Sequence, residues 1–155
     1  MASLKETSLG ILIDRFARLN ADLIWQKVFQ NERFKKWIMD LIRQDQLFKQ
    51  GINEDGNVIG FYSPVTEAIN PQKVAGTHYT LFDSGEFYNS FVIFVGRQVF
   101  TIDADTLKME GENWWVRNNI TKDAILGLTD ENKNKLIAQV KTRYLQETRL
   151  LLGIK

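Results

Sequence analysis

No cysteine occurs among the 155 residues, which excludes disulfide bridges and thiolate-bound metal. That composition suits a reducing cytoplasm. Histidine occurs once, at His78, with no H-x-x-x-H pattern or carboxylate-rich loop beside it. No metal or cofactor is therefore expected. No apolar run approaches the ~20 residues that cross a bilayer, so no membrane partner is expected. The first stretch, MASLKETSLGILIDRF, has acids at Glu6 and Asp14 and lacks the basic head and small-residue cleavage site of a secretory leader. Charge of one sign is missing too: 20 Lys and Arg against 19 Asp and Glu leave a formal charge of +1. A global field that would hold nucleic acid is absent. Proline is confined to Pro64 and Pro71.

What remains is ordinary globular material, 44% apolar and 25% charged, long enough for one domain with its own core. Leu9, Leu12, Ile13, Phe16, Leu19, Leu23 and Ile24 recur at helical spacing, and Thr7 or Ser8 can cap their start. Asn31 reads as a second cap before Phe34, Trp37, Ile38, Leu41 and Ile42. The spacing predicts one long helix or two consecutive helices over 8–48, ended by Gly51. This helical region is long relative to the expected sheet and can project as an arm.

Residues 52–119 read as a small antiparallel sheet. Asp55-Gly56 is a tight-turn dipeptide, followed by a strand over Val58–Tyr62. Residues 63–76 form a surface loop. Strands are predicted over His78–Phe82, Phe87–Val95 and Gln98–Asp103, the last two joined at Gly96-Arg97. Thr121 can cap a short turn through Leu126, and Thr129 caps a final helix within 120–155. The expected fold is α+β: a single domain of 1–155 with a long N-terminal helical region, about four antiparallel strands, and a C-terminal helix packed on the sheet.

The stretch TLFDSGEFYNSF, residues 80–91, poses the main chemical question. An apolar pair followed by Asp83-Ser84-Gly85 is how half of an aspartic protease presents its catalytic acid. Such an enzyme needs two carboxylates sharing a proton and a later apolar-apolar-Gly strand. Leu151-Leu152-Gly153 has that composition but ends a helical pattern. A bulky Glu86-Phe87-Tyr88 follows the glycine, where a small residue is needed. The alternative is a corner between two strands, with Asp83 and Ser84 bonding local N–H groups and Gly85 supplying positive φ.

The succession QLFKQG (46–51), DGNVIGFYS (55–63), a loop with Thr and Lys, then TLFDSGEFYNSF resembles phage virion-morphogenesis and tail-completion proteins, a family of head–tail connector type. The positions that carry it are Gly51, Asp55, Gly56, Tyr62, Leu81, Asp83, Gly85 and Ser90, with Ser84 where threonine is commoner. Gln46, Leu47 and Phe87 resemble the version in phages and prophages of Bacteroides-type bacteria. The resemblance spans 44–103, and the region from Glu110 to Asn119 departs from it. It implies a small sheet packed with helices and no enzymatic activity. It further implies a homo-oligomeric ring that docks on portal, neck or tail proteins, made in the bacterial cytoplasm and working in the virion. A bacterial adaptor domain and an aspartic-protease-like enzyme are the alternatives.

The remaining candidates are ordinary in kind. A triad of His78, Asp83 and Ser84 or Ser90 lacks a G-x-S-x-G elbow. Trp114 and Trp115, adjacent in a polar setting, can send one ring to the core and the other to a partner. The aromatics of 87–100 lack the basic residues that would make a base-stacking platform. Arg33, Lys35 and Lys36, or Lys141, Arg143 and Arg149, can face DNA if a ring encloses a channel; solvated helix faces are the default.

Overall fold

The computed structural model describes residues 7–108 and 121–154. Its N-terminal region contains three successive α-helices, each opened by a side-chain cap. Thr7 Oγ1 accepts from Gly10 N at 3.1 Å and starts α1 (Ser8–Ala17). Asn20 Oδ1 accepts from the N–H groups of Asp22 and Leu23 and starts α2 (Ala21–Gln30). Asn31 Oδ1 accepts from Phe34 N at 3.0 Å and starts α3 (Glu32–Asp40). All three caps have extended backbone, so the chain turns at each. The extra break at Asn20 is the one the apolar spacing did not reveal.

Beyond Asp40 the chain continues without a new cap into a π-helical segment, Leu41–Phe48. Gly51 ends it at φ 62°, its N–H donating to Leu47 O.

The hairpin is present: β1 (Val92–Val95) pairs antiparallel with β2 (Phe100–Asp103), Val92 opposite Asp103 and Val95 opposite Phe100. Gly96 N donates to Val99 O, which centres the turn on Arg97-Gln98, one residue later than predicted. Among the described residues the sheet has two strands, not four. Val58–Tyr62 and His78–Phe82 form no strand and contribute only the isolated bridges Ile52–Val58 and Phe61–His78. Two backbone features stop a ladder from propagating: Gly60 sits at φ 146° and Leu81 at φ 55°. The predicted strand over Phe87–Val95 begins instead as a helical turn, α5 (Glu86–Asn89). The 63–76 loop also contains a short helix, α4 (Pro64–Ile69), capped by Ser63 with proline at its start.

Towards the C-terminus come α6 (Lys122–Leu126), capped by Thr121, and α7 (Asp130–Leu152), capped by Thr129. The core lies where α2, α3, the π-helical segment, α5 and the hairpin converge on α6 and the start of α7. Phe29, Phe34, Ile38, Ile42, Leu47 and Ile125 are fully buried there. Phe29 stacks on Phe100 of β2 at 4.8 Å. Helix α7 packs chiefly on α2 and α1 and not, as predicted, on the sheet. Only its first turns approach β2, where Leu136 and Lys133 border a shallow groove beside Phe100 and Ile102. The far part of α7 buries no residue completely. It pairs with α1 through Arg15, whose Nη1 donates to Leu152 O at 2.8 Å and so places a cation at the helix C-terminus. Of the helices within 8–48, α1 is the least covered, with Gly10 its buried residue, while α2 and α3 contribute Val28, Phe29, Phe34 and Ile38 to the core.

Candidate functional site

Several of the residues that carry the sequence resemblance border one corner. Asp83-Ser84-Gly85 is the entrance to α5, not a link between strands. Gly85 has φ 84°, Ser84 Oγ accepts from Glu86 N, and Asn89 N donates to Gly85 O. Asp83 faces Lys73, with Oδ1 3.3 Å from Nζ. The partners differ in setting: the lysine side chain is 5% exposed and the carboxylate 57%. Lys73 also lies 5.8 Å from the centre of the Tyr62 ring. Buried ammonium groups need such partners, because desolvation of a charge is costly.

Tyrosines fix the strained turn at Leu81. The Tyr62 hydroxyl accepts from Thr80 N at 3.1 Å and lies 3.0 Å from Thr80 Oγ1. The Tyr88 hydroxyl donates to Thr80 O. Burial pushes the Tyr88 phenol well above its ordinary value, with a further contribution from Tyr62, and Arg43 opposes it. Arg43 reaches from the π-helical segment to Tyr88 O at 2.8 Å while Asp40 holds its other nitrogen at 2.6 Å. Ser90 Oγ donates to Phe87 O and accepts from Asp105 N, tying the end of α5 to the chain beyond β2.

Gly51 and His78 meet at the other side. A Cβ on Gly51 would lie 2.4 Å from the His78 ring, whose Nε2 is 3.1 Å from Phe48 O at the end of the π-helical segment. His78 is a helix-end partner here. Asp55 and Gly56 form the predicted turn, organised by Asn53, whose Oδ1 accepts from Asp55 N and Asn57 N. Gly56 has φ 79°.

Between these groups lies a cleft of about 350 Å³, walled by Phe48, Tyr62, Lys73, His78, Phe82 and Asp83. No group of three or more His, Cys, Asp or Glu with metal-binding geometry occurs among the described residues. Leu151-Leu152-Gly153 ends α7, with Gly153 as its left-handed cap, and cannot supply the strand that a protease site needs.

Of the residues that carry the resemblance, Tyr62 and Asp83 line this cleft, Gly51 abuts His78 on its wall, and Ser84-Gly85 lead from Asp83 into α5; Ser90 instead lines a separate groove with Val92, Asp103 and Asp105, and Asp55 and Gly56 lie on the turn organised by Asn53. Trp114 and Trp115 lie outside the described residues. Sequence reading missed Lys73, Asn53 and Tyr88. Lys73 carried a signal: it is the only Lys or Arg between Lys49 and Arg97. Of the basic clusters, Lys35 pairs with Glu32 at 2.8 Å and Arg143 stacks 4.4 Å over the Phe34 ring, leaving Arg33, Lys36, Lys141 and Arg149 exposed. Comparison with protein-family models, curated proteins and solved structures yields no match.

Proposed function

We propose that the chain is a structural protein of a phage or prophage virion, of the neck or tail-completion type. It acts by assembling into a ring and docking on portal, neck or tail proteins. It is made in the bacterial cytoplasm and works in the virion, with DNA passing nearby and Arg33 and Lys36 supplying exposed charge. It does no chemistry.

One observation carries this reading: the motif residues are used to hold backbone. Asp83 is engaged by Lys73, Gly85 opens α5, Ser90 bonds at both ends of its hydroxyl, and Gly51 accommodates His78. A protease would need Asp83 beside a second carboxylate, and a lysine ammonium stands there instead. A rigid corner and an exposed apolar helix face, Leu9, Ile13 and Phe16 on α1, suit a tiled subunit.

The test is incorporation. A tagged chain expressed during prophage induction is expected to co-purify with particles and to label their neck or tail end. Disrupting its gene is expected to leave particles that are not infectious, restored by the wild-type copy and by Asp83→Asn alike. Infectious particles formed without the chain would refute the proposal.

A further inference from the structure

The β1–β2 hairpin has an open edge on β2. Gly96 N donates to Val99 O, so that pair is hydrogen-bonded across the turn. In an antiparallel ladder, bonded and non-bonded pairs alternate. The bonded pairs are therefore Phe94–Thr101 and Val92–Asp103, and the non-bonded ones Val95–Phe100 and Ile93–Ile102. Phe100 and Ile102 thus turn their N–H and C=O groups away from β1. Those groups meet no hydrogen-bond partner among the described residues. By contrast, β1 has α2 and α3 packed against it.

Unpaired main-chain groups on a strand edge are a template for a further strand. Here they border a groove of about 420 Å³, lined also by Leu126, Gly127, Leu128 and Leu136. Phe100, Thr101 and Ile102 line it as consecutive residues. A strand does so where its edge, not one face, borders the space. An extended peptide laid along β2 gains main-chain hydrogen bonds and sets alternate side chains toward the leucines.

Charge selects the occupant. Glu54 and Asp123 line the groove, and neither meets a cation among the described residues. The neighbouring bases are already engaged, Lys133 by Asp130 at 3.2 Å and Lys122 by Asp103 at 2.5 Å. Glu54 is held in place by its own backbone, its N–H donating to Ala124 O at 2.8 Å. Its carboxylate lies over Gly127, where a Cβ would collide with it. The missing side chain at Gly127 is what lets this acid reach the groove. A second copy offering its own β2 would set these acids against their counterparts, and like charges across a close interface disfavour that pairing.

We infer that the edge of β2 takes an extended segment of a different protein as an added strand beside Phe100–Ile102. The segment carries apolar residues at alternate positions and a Lys or Arg for Glu54 and Asp123. This site goes beyond the functional reading above and does not depend on it.

The test uses the whole chain and a display library of random octapeptides. Enriched sequences are expected to alternate apolar with polar residues and to contain Lys or Arg. A synthetic copy of an enriched peptide is expected to shift the amide resonances of Phe100 and Ile102. Methylating the peptide nitrogens that face β2 should weaken binding at least about tenfold, because it removes the main-chain donors. Glu54→Gln combined with Asp123→Asn, checked for an unchanged melting curve, should weaken binding similarly and flatten its salt dependence. The peptide arm of the test stands even where that variant fails to fold. A library that enriches nothing or enriches acidic sequences would overturn the inference. So would shifts that spare Phe100 and Ile102, or full binding by the methylated peptide. Concentration-dependent shifts at the same amides in the chain alone would overturn it too, by making a second copy the occupant.

Discussion

Gly51 meets two demands at once: a backbone at φ 62° and no room for a Cβ beneath the His78 ring. Gly51→Ala is expected to lower stability by about 2–4 kcal/mol in urea unfolding, and adding His78→Ala should recover only the steric part. Tyr88 gives a pH signature. Its folded pKa is raised above the ordinary value of 10.0, because the buried phenol resists ionisation. The unfolded chain therefore releases this proton first as pH rises. Stability is full below about pH 10 and is lost progressively above it. Tyr88→Phe should flatten that alkaline decline in melting temperature, at the cost of the hydroxyl's bond to Thr80 O. At acid pH the sign reverses for Asp22, whose carboxyl is held below its usual value by hydrogen bonds from Gln98 and Arg97. The same holds for Asp103, lowered by Lys122 and by Ala104 N. Their contributions are present above the ordinary carboxylate range and fade as pH falls through it.

Among elements, the π-helical segment is the one on which the fold turns. Gln46 is fully buried within it. Its Nε2 donates to Gly127 O, and its Oε1 accepts from Thr129 N and Asn132 Nδ2. Asn132 also donates to Leu41 O at 3.0 Å. The looser winding leaves that carbonyl accessible, so a side chain from α7 enters the helix ladder and anchors the start of α7 to it. Truncating Gln46 strands buried donors and acceptors at about 1–3 kcal/mol each. Gln46→Leu is therefore expected to cost roughly 3 kcal/mol or more, and a double-mutant cycle with Asn132→Leu should show coupling well above about 0.5 kcal/mol. Neither residue announces this role, because a buried amide pair has no sequence period.

For the whole molecule, the core and the exposed face of α1 should respond differently to mutation. Phe29, fully buried against Trp25, Phe34 and Phe100, should cost about 3–5 kcal/mol as Phe29→Ala. Phe16→Ser on the exposed face of α1 should change chain stability by about 0.5 kcal/mol or less in the same assay. A large loss at Phe16 would mean that α1 belongs to the core.

The caps at Thr7, Asn31, Thr121 and Thr129, the Asp55-Gly56 turn, the β1–β2 hairpin and the helix-ending Gly51 were legible in the sequence, whereas the caps at Asn20 and Ser63 were not. Each depends on a residue's own backbone preference or on a short-range period, and those act over a few positions. At the candidate corner, Ser84 accepts from a local N–H and Gly85 takes positive φ as residue type suggested, but Asp83, expected to bond local N–H groups between two strands, instead meets Lys73 at the entrance of a helix. Tertiary structure alone decided the rest. Aromatic and β-branched residues over 58–62 and 78–82 favour extended backbone, but a ladder needs a partner in register, and Gly60 and Leu81 deny one. The aromatics of 87–91 took a helical turn because Phe87, Tyr88 and Phe91 fill the core from that geometry. Asp83 and Lys73 stand ten residues apart. Whether that acid stood free or met a cation depended on how an aperiodic loop folded back, which local preference does not encode.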